Sequence, residues 1–233
     1  MVEAMGAWRG KADRAYAQLR HDIETGVFAP GQALSEIELS THTGASRTPV
    51  REAIRRLAAE GLVDLEPRRA PTVSRISLRG ARALFDFRRL IEPEAVRAVA
   101  HKAETNPALR DDLLALLDTF HAMRGVPYDE TFAEQFRRAT AEFDRIVALH
   151  TPNSYLARAI ADLRPHSARL RYIAHSDRSR LQESVNEHIA MCTAIIDGNP
   201  DAAAAAMTTH LHHVDQAIFR QLLGGEAGEI LVS

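Results

Sequence analysis

Residues 46–61 read SRTPVREAIRRLAAEG. Val50, Ala53, Ile54, Leu57 and Ala58 recur at helical spacing and make one apolar stripe. Arg47, Arg51 and Arg55 fall four residues apart, so they stack on a neighbouring face, and Arg56 adds a fourth cation. Glu52 is the only acid before Glu60. Ser46 or Thr48 can cap such a helix, and Pro49 sits in its first turn, where a missing N–H costs nothing. An arginine ridge that begins at a helix N-terminus and is backed by a buried stripe suits a DNA major groove. A solvated basic face on an ordinary helix is the other reading.

The flanks decide between them. Upstream, Ala12, Tyr16, Leu19 and Ile23 form a helical stripe that ends at Gly26. A Pro30-Gly31 turn follows, then Ser35 with Glu38 three residues on, the pattern of a capping box. This predicts a short helix near residue 35 that buries Leu39 and is broken by Gly44. A short helix, a Gly turn and an amphipathic helix make a helix-turn-helix. Downstream, residues 62–65 and 72–76 are two β-prone runs. They are joined by the turn PRRAP, with Arg68 and Arg69 at its tip. A hairpin there is a wing, and its arginines either reach phosphate or the minor groove, or are solvated.

Residues 13–76 therefore resemble the winged helix of the GntR family of bacterial transcription regulators. The resemblance rests on PGQALSEIELS, GASRTPVREAIRRLAAEGLV and PRRAPTV. It implies DNA contacts by Ser46, Arg47, Thr48 and Arg51, with Arg68 and Arg69 in the wing. Two positions depart from the family pattern. Ile37 stands where many members have arginine, and Ala70 replaces the wing glycine, although Ala tolerates positive φ poorly.

The chain has 233 residues, 45% of them hydrophobic and 26% charged, as in ordinary globular proteins. A net charge of −2 requires any nucleic-acid surface to be local. A single cysteine, Cys192, excludes an internal disulfide framework and fits a reducing cytoplasm. The first residues lack the apolar core of a secretory signal, and no apolar run is long enough to span a membrane.

From Ser77 onward helix formers dominate, and six stripes predict an all-α bundle. The first runs through Leu84, Phe87 or Arg88, Ile91, Ala95 and Val99. The fourth opens with Tyr155, Leu156, Ile160 and Leu163. The expected fold is thus mostly α: a winged helix-turn-helix over residues 1–76, an all-α effector-binding and dimerisation domain over 77–223, and a frayed tail over 224–233.

Three polar residues, Asp144, His188 and His210, sit on or beside these apolar stripes. Each is either a hydrogen-bonded core residue or part of a metal site built from facing helices. Two imidazoles and a carboxylate suit Zn, Ni, Mn or Fe.

This region resembles the FCD ligand-binding domain of FadR-type members, through FRRLIEPEAV, AEFDRIVALHTPNSYL, NEHIAMCTAIIDGNPDAAAAAM and TTHL. The resemblance puts His188 and His210 at two metal-ligand positions. Thr140 stands where the family has Asp, and Asp144 where it has the first His. It implies either a divalent metal held by Asp144, His188 and His210, with His166 as an extra candidate, or a site that has lost its metal, as in members that bind effectors without one. It also places Arg88 at the effector pocket, paired with an effector carboxylate or with Glu92, whereas Arg164, Arg169 and Arg171 read as solvated.

The expectation is a cytoplasmic, homodimeric regulator that binds a palindromic operator and a small organic acid. Two rivals remain: a helical metalloenzyme with two histidines and one carboxylate, and a regulator whose second domain only dimerises.

Overall fold

The computed structural model describes residues 10–174 and 178–223, so the expected tail lies outside the described residues. The head comprises α1 (Lys11–Glu24), α2 (Glu36–Thr43) and α3 (Arg47–Ala59), then β1 (Val63–Asp64) and β2 (Thr72–Val73). Ser35 caps α2 by accepting a hydrogen bond from the Glu38 amide. Gly44 ends α2 at φ +65°, a left-handed conformation that glycine adopts without steric cost. Val50, Ala53 and Leu57 of α3 are fully buried against Ala15, Tyr16, Leu19 and Ile23 of α1. The stripe read from the sequence is therefore the floor of the head, and Ala58 lies at its partly buried edge.

The wing pairs Val63 with Val73 and Asp64 with Thr72, antiparallel. A third, unforeseen segment joins it. The Gly31 amide donates to the Val73 carbonyl, the Val73 amide to the Gln32 carbonyl and the Leu34 amide to the Pro71 carbonyl. The Pro30-Gly31 turn thus delivers an edge to the hairpin rather than a plain loop, and its bonds satisfy backbone groups of β2. At the wing tip the positive φ falls on Arg68, at +65°, and not on Ala70. A non-glycine residue there costs about 1 kcal/mol.

Six helices follow: α4 (Leu78–Ala103), α5 (Pro107–Ala122), α6 (Glu130–His150), α7 (Ser154–Ala174), α8 (Arg178–Ile196) and α9 (Pro200–Leu223). Their main core gathers Val96, Val99, Leu113, Phe120, Phe136, Phe143, Val185 and Ile195. Buried among them, the Cys192 thiol is pushed up to about 12 and so stays protonated. A smaller core joins Ile76 and Phe85 to Leu170 of α7 and to Val214, Ile218 and Leu222 of α9. The α4 stripe runs through Arg88, which is 3% exposed, and not through Phe87. Tyr155, expected on the apolar side of α7, is 85% exposed instead. It stands in the first turn, where Leu156 and not Tyr155 packs against the main core. No helix among the described residues is long and apolar enough to cross a membrane.

Candidate functional site

Ser46 occupies the N-cap of α3 but makes no side-chain capping bond. Its exposed hydroxyl and the adjoining helix N-terminal amides are the groups that phosphate oxygens accept from. Arg47, Thr48, Arg51 and Arg55 are exposed with it. Arg56 leaves the ridge: it bonds Asp13 at 2.7 Å and lies 3.9 Å over the Tyr16 ring, tying α3 to α1. The ridge therefore carries three arginines, not the four that the spacing offered.

Arg51 Nε is 2.8 Å from both Glu36 oxygens, and this hydrogen bond holds the Glu36 carboxyl below its usual range. Glu36 on α2 orients the guanidinium while both remain in water. Arg68 and Arg69 are exposed at the wing tip, Arg69 bonding Glu66 at 2.6 Å. Ile37 stands exposed on α2. The expected DNA-facing residues are thus all exposed on the head.

The second site lies inside the bundle. His188 packs between the rings of Phe120, Phe143 and His210, at centroid distances of 4.9, 5.4 and 4.7 Å. Its Nδ1 donates to the Ser184 carbonyl at 2.7 Å, and burial pushes the imidazole down to about 3. His210 is likewise lowered by burial, and its Nδ1 lies 2.6 Å from Glu187 Oε2. Glu187 also receives Arg180 at 2.6 and 3.0 Å and His213 at 2.6 Å. Burial would raise the Glu187 carboxyl, but the His210 and Arg180 hydrogen bonds outweigh it and hold the group at about 2. Neither Arg180 nor Glu187 was singled out from the sequence. Arg180, Ser184, Glu187 and Met191 fall at i, i+4, i+7 and i+11, so polar residues on a buried stripe were the available signal.

Arg88 pairs with Glu92 at 2.6 and 3.1 Å, while its Nη1 is buried with no hydrogen-bond partner among the described residues. Asp144 accepts from both terminal nitrogens of Arg171 at 3.2 Å, with Arg164 Nε 3.8 Å away. Burial would raise its carboxyl, but Arg171, Arg164 and Arg88 together hold it low.

Two small hollows of about 20 Å³ each result. One is lined by His188, His210 and Arg180, the other by Arg88, Glu92 and Asp144, and Arg171 lines both. Thr140, Arg164 and Arg171 also line a cleft of about 460 Å³ between α1 of the head and α6 and α7.

The expected metal ligands do not fit together. His188 and His210 converge, but Asp144 is committed to Arg171 and Arg164. Among the described residues no three His, Cys, Asp or Glu side chains make a metal-holding group. His166 is not the extra ligand. Its Nε2 donates to the Glu60 carbonyl at the C-cap of α3, 2.8 Å away. Arg164, Arg169 and Arg171 are not solvated as expected. Arg164 donates to the Ala141 carbonyl, and Arg169 is buried on the Ser74 hydroxyl and carbonyl just after β2. Burial lowers Arg169 to about 10. Helix α7 therefore grips the head with His166 and Arg169, and the bundle hollows with Arg164 and Arg171.

The family described as bacterial regulatory proteins, gntR family, matches residues 11–73, and the FCD domain matches residues 83–213. The HTH-type transcriptional repressor RspR of Escherichia coli is 27% identical, over 87% of this chain and 86% of that protein. An HTH-type regulator from an unstable DNA locus of Streptomyces ambofaciens is 31% identical, over 93% and 89%. Among solved structures, E. coli McbR/YncC superposes with a TM-score of 0.76 at 20% identity, covering 91% of this chain and 98% of that one.

Proposed function

This chain belongs to the gntR family of bacterial regulatory proteins, with an FCD domain behind its DNA-binding head, and from that premise we propose how its two sites work together. The chain is a DNA-binding transcriptional regulator and not an enzyme. In the proposed reading it acts in the cytoplasm as a homodimer. Two α3 ridges enter successive major grooves of an inverted-repeat operator. Arg47 and Arg51 read base edges, Ser46 and Thr48 hold phosphate, and Arg68 and Arg69 follow the backbone beside the wing.

The bundle takes a small organic acid against Arg88 and Arg171. The observation that carries this reading is the double grip of α7. The Arg171–Asp144 pair separates two hollows too small for a metabolite. An acid that recruits Arg171 must part it from Asp144, which shifts α7. The same helix holds the Glu60 carbonyl and Ser74 of the head. Ligand binding and head orientation are then coupled, and the coupling is reciprocal.

The orphaned Arg88 Nη1 favours a ligand over a domain that serves dimerisation alone, because a buried guanidinium N–H left unmade is costly. Fluorescence-anisotropy titration of operator DNA, with and without a panel of organic acids, tests the proposal. A shift in DNA affinity with at least one acid is expected. Operator affinity indifferent to every acid that binds would refute the coupling.

A further inference from the structure

We propose that the bundle site takes a hydroxylated carboxylate directly, with guanidinium groups doing the work that a metal ion would do in a two-histidine site. The inference rests on the effector reading above and narrows it to one ligand chemistry.

The first observation is the direction of the imidazole protons. A backbone carbonyl only accepts, so His188 Nδ1, 2.7 Å from the Ser184 oxygen, carries the ring proton. His210 Nδ1, 2.6 Å from the Glu187 carboxylate, carries one for the same reason. Both rings line the same hollow, and the one polar atom left to each is Nε2, an acceptor. Lone pairs of this kind ask for a metal or for hydroxyl donors.

Charge and geometry decide between the two. Four guanidinium groups (Arg88, Arg164, Arg171 and Arg180) stand in or against the hollows. They face four carboxylates, each already engaged: Glu92 by Arg88, Asp144 by Arg171 and Arg164, Glu187 by Arg180 and His210, and the exposed Glu183 by Arg180. A divalent cation would enter a desolvated space beside these guanidinium groups and would find no free carboxylate. An organic anion needs none, and it gives the orphaned Arg88 Nη1 an acceptor.

A carboxylate satisfies only the guanidinium half of the site. A neighbouring hydroxyl is needed to donate to an imidazole Nε2. Discrimination should follow, because a site built to bond a hydroxyl rejects the analogue that lacks it.

The test uses the full chain and matched acids: L-malate against succinate, L-lactate against propionate, and D-gluconate against hexanoate. Calorimetric titration is run in EDTA and repeated with added Zn²⁺, Ni²⁺ or Mn²⁺, and the purified protein is assayed for bound metals. At least one hydroxy acid is expected to bind in EDTA with affinity about 10- to 100-fold above its deoxy partner, the loss that one buried unmade hydrogen bond implies. Added metal should leave that affinity unchanged. Stoichiometric bound metal, or binding that EDTA abolishes and metal restores, would overturn the inference and leave the effector reading standing. So would equal binding of hydroxy and deoxy partners. Failure of every acid under every condition would remove the effector reading as well.

Discussion

Arg88→Met separates the structural and ligand-binding duties of the pocket. The Arg88 side chain is 4% exposed, and it bonds Glu92, whose own side chain is 14% exposed. Removing the guanidinium leaves a buried carboxylate without its counter-ion, a change that costs about 3–5 kcal/mol in such pairs. Glu92 retains some access to water, so the lower end, about 3 kcal/mol, is expected. For a chain of this length that lowers the melting midpoint by about 6–12 °C. Replacing both partners, as Arg88→Met with Glu92→Leu, removes the stranded charge along with the pair. The double variant should recover to within about 1 kcal/mol of the parent. Neither variant should be stabilised by any acid that stabilises the parent, since both lack the guanidinium. Calorimetric melts with and without saturating acid read all of these outcomes. A single variant as stable as the parent would show that the pair contributes nothing. A double variant as weak as the single would show that packing, not charge, sets the loss. Retained acid stabilisation in the double variant would remove Arg88 from the ligand site.

Arg68→Ala and Arg69→Ala should each weaken operator binding about equally across sequences and lower the salt slope by about one, as measured by anisotropy over a salt series. An unchanged slope would leave the wing tip in solvent. His166→Phe with Arg169→Met removes the grip of α7 on Glu60 and Ser74. This variant should bind acid with parental affinity while its DNA affinity no longer responds to acid. Glu187→Gln tests the pocket's acid sensitivity. The Glu187 carboxyl is held at about 2 against an ordinary 4.5, so its stabilisation is complete above pH 4.5 and is lost as pH falls toward 2. Urea titrations across that window should show a flatter acid limb for the variant, and identical limbs would count against the assignment.

The head was legible because its signals are local. The apolar stripe of α3, the Ser35 cap and the Gly44 stop all lie within a few residues of the element they define. What escaped depends on partners far along the chain. Nothing near Arg56 announces Asp13, and nothing near residues 31–34 announces the edge of β2. In the bundle the six stripes were readable, but side-chain direction was not. Asp144 shares its helix face with the expected site, yet it turns to arginines on α7. Arg169 looked solvated because no acid is spaced to meet it. Its partners are the hydroxyl and backbone carbonyl of Ser74, which a sequence pattern does not flag. The Glu187 hub was hidden for a related reason: its partners Arg180, His210 and His213 come from two helices.

The claim that the α3 ridge reads DNA is tested most directly by selection from a pool of random duplexes. The full chain and its Arg47→Ala, Arg51→Ala variant are each used to capture DNA at fixed salt, and the bound fraction is sequenced. The parent is expected to enrich one inverted repeat with half-sites about 10 base pairs apart, or a multiple of that, and the variant to enrich nothing. The same repeat recovered by the variant, or no enriched sequence from the parent, would contradict the assignment.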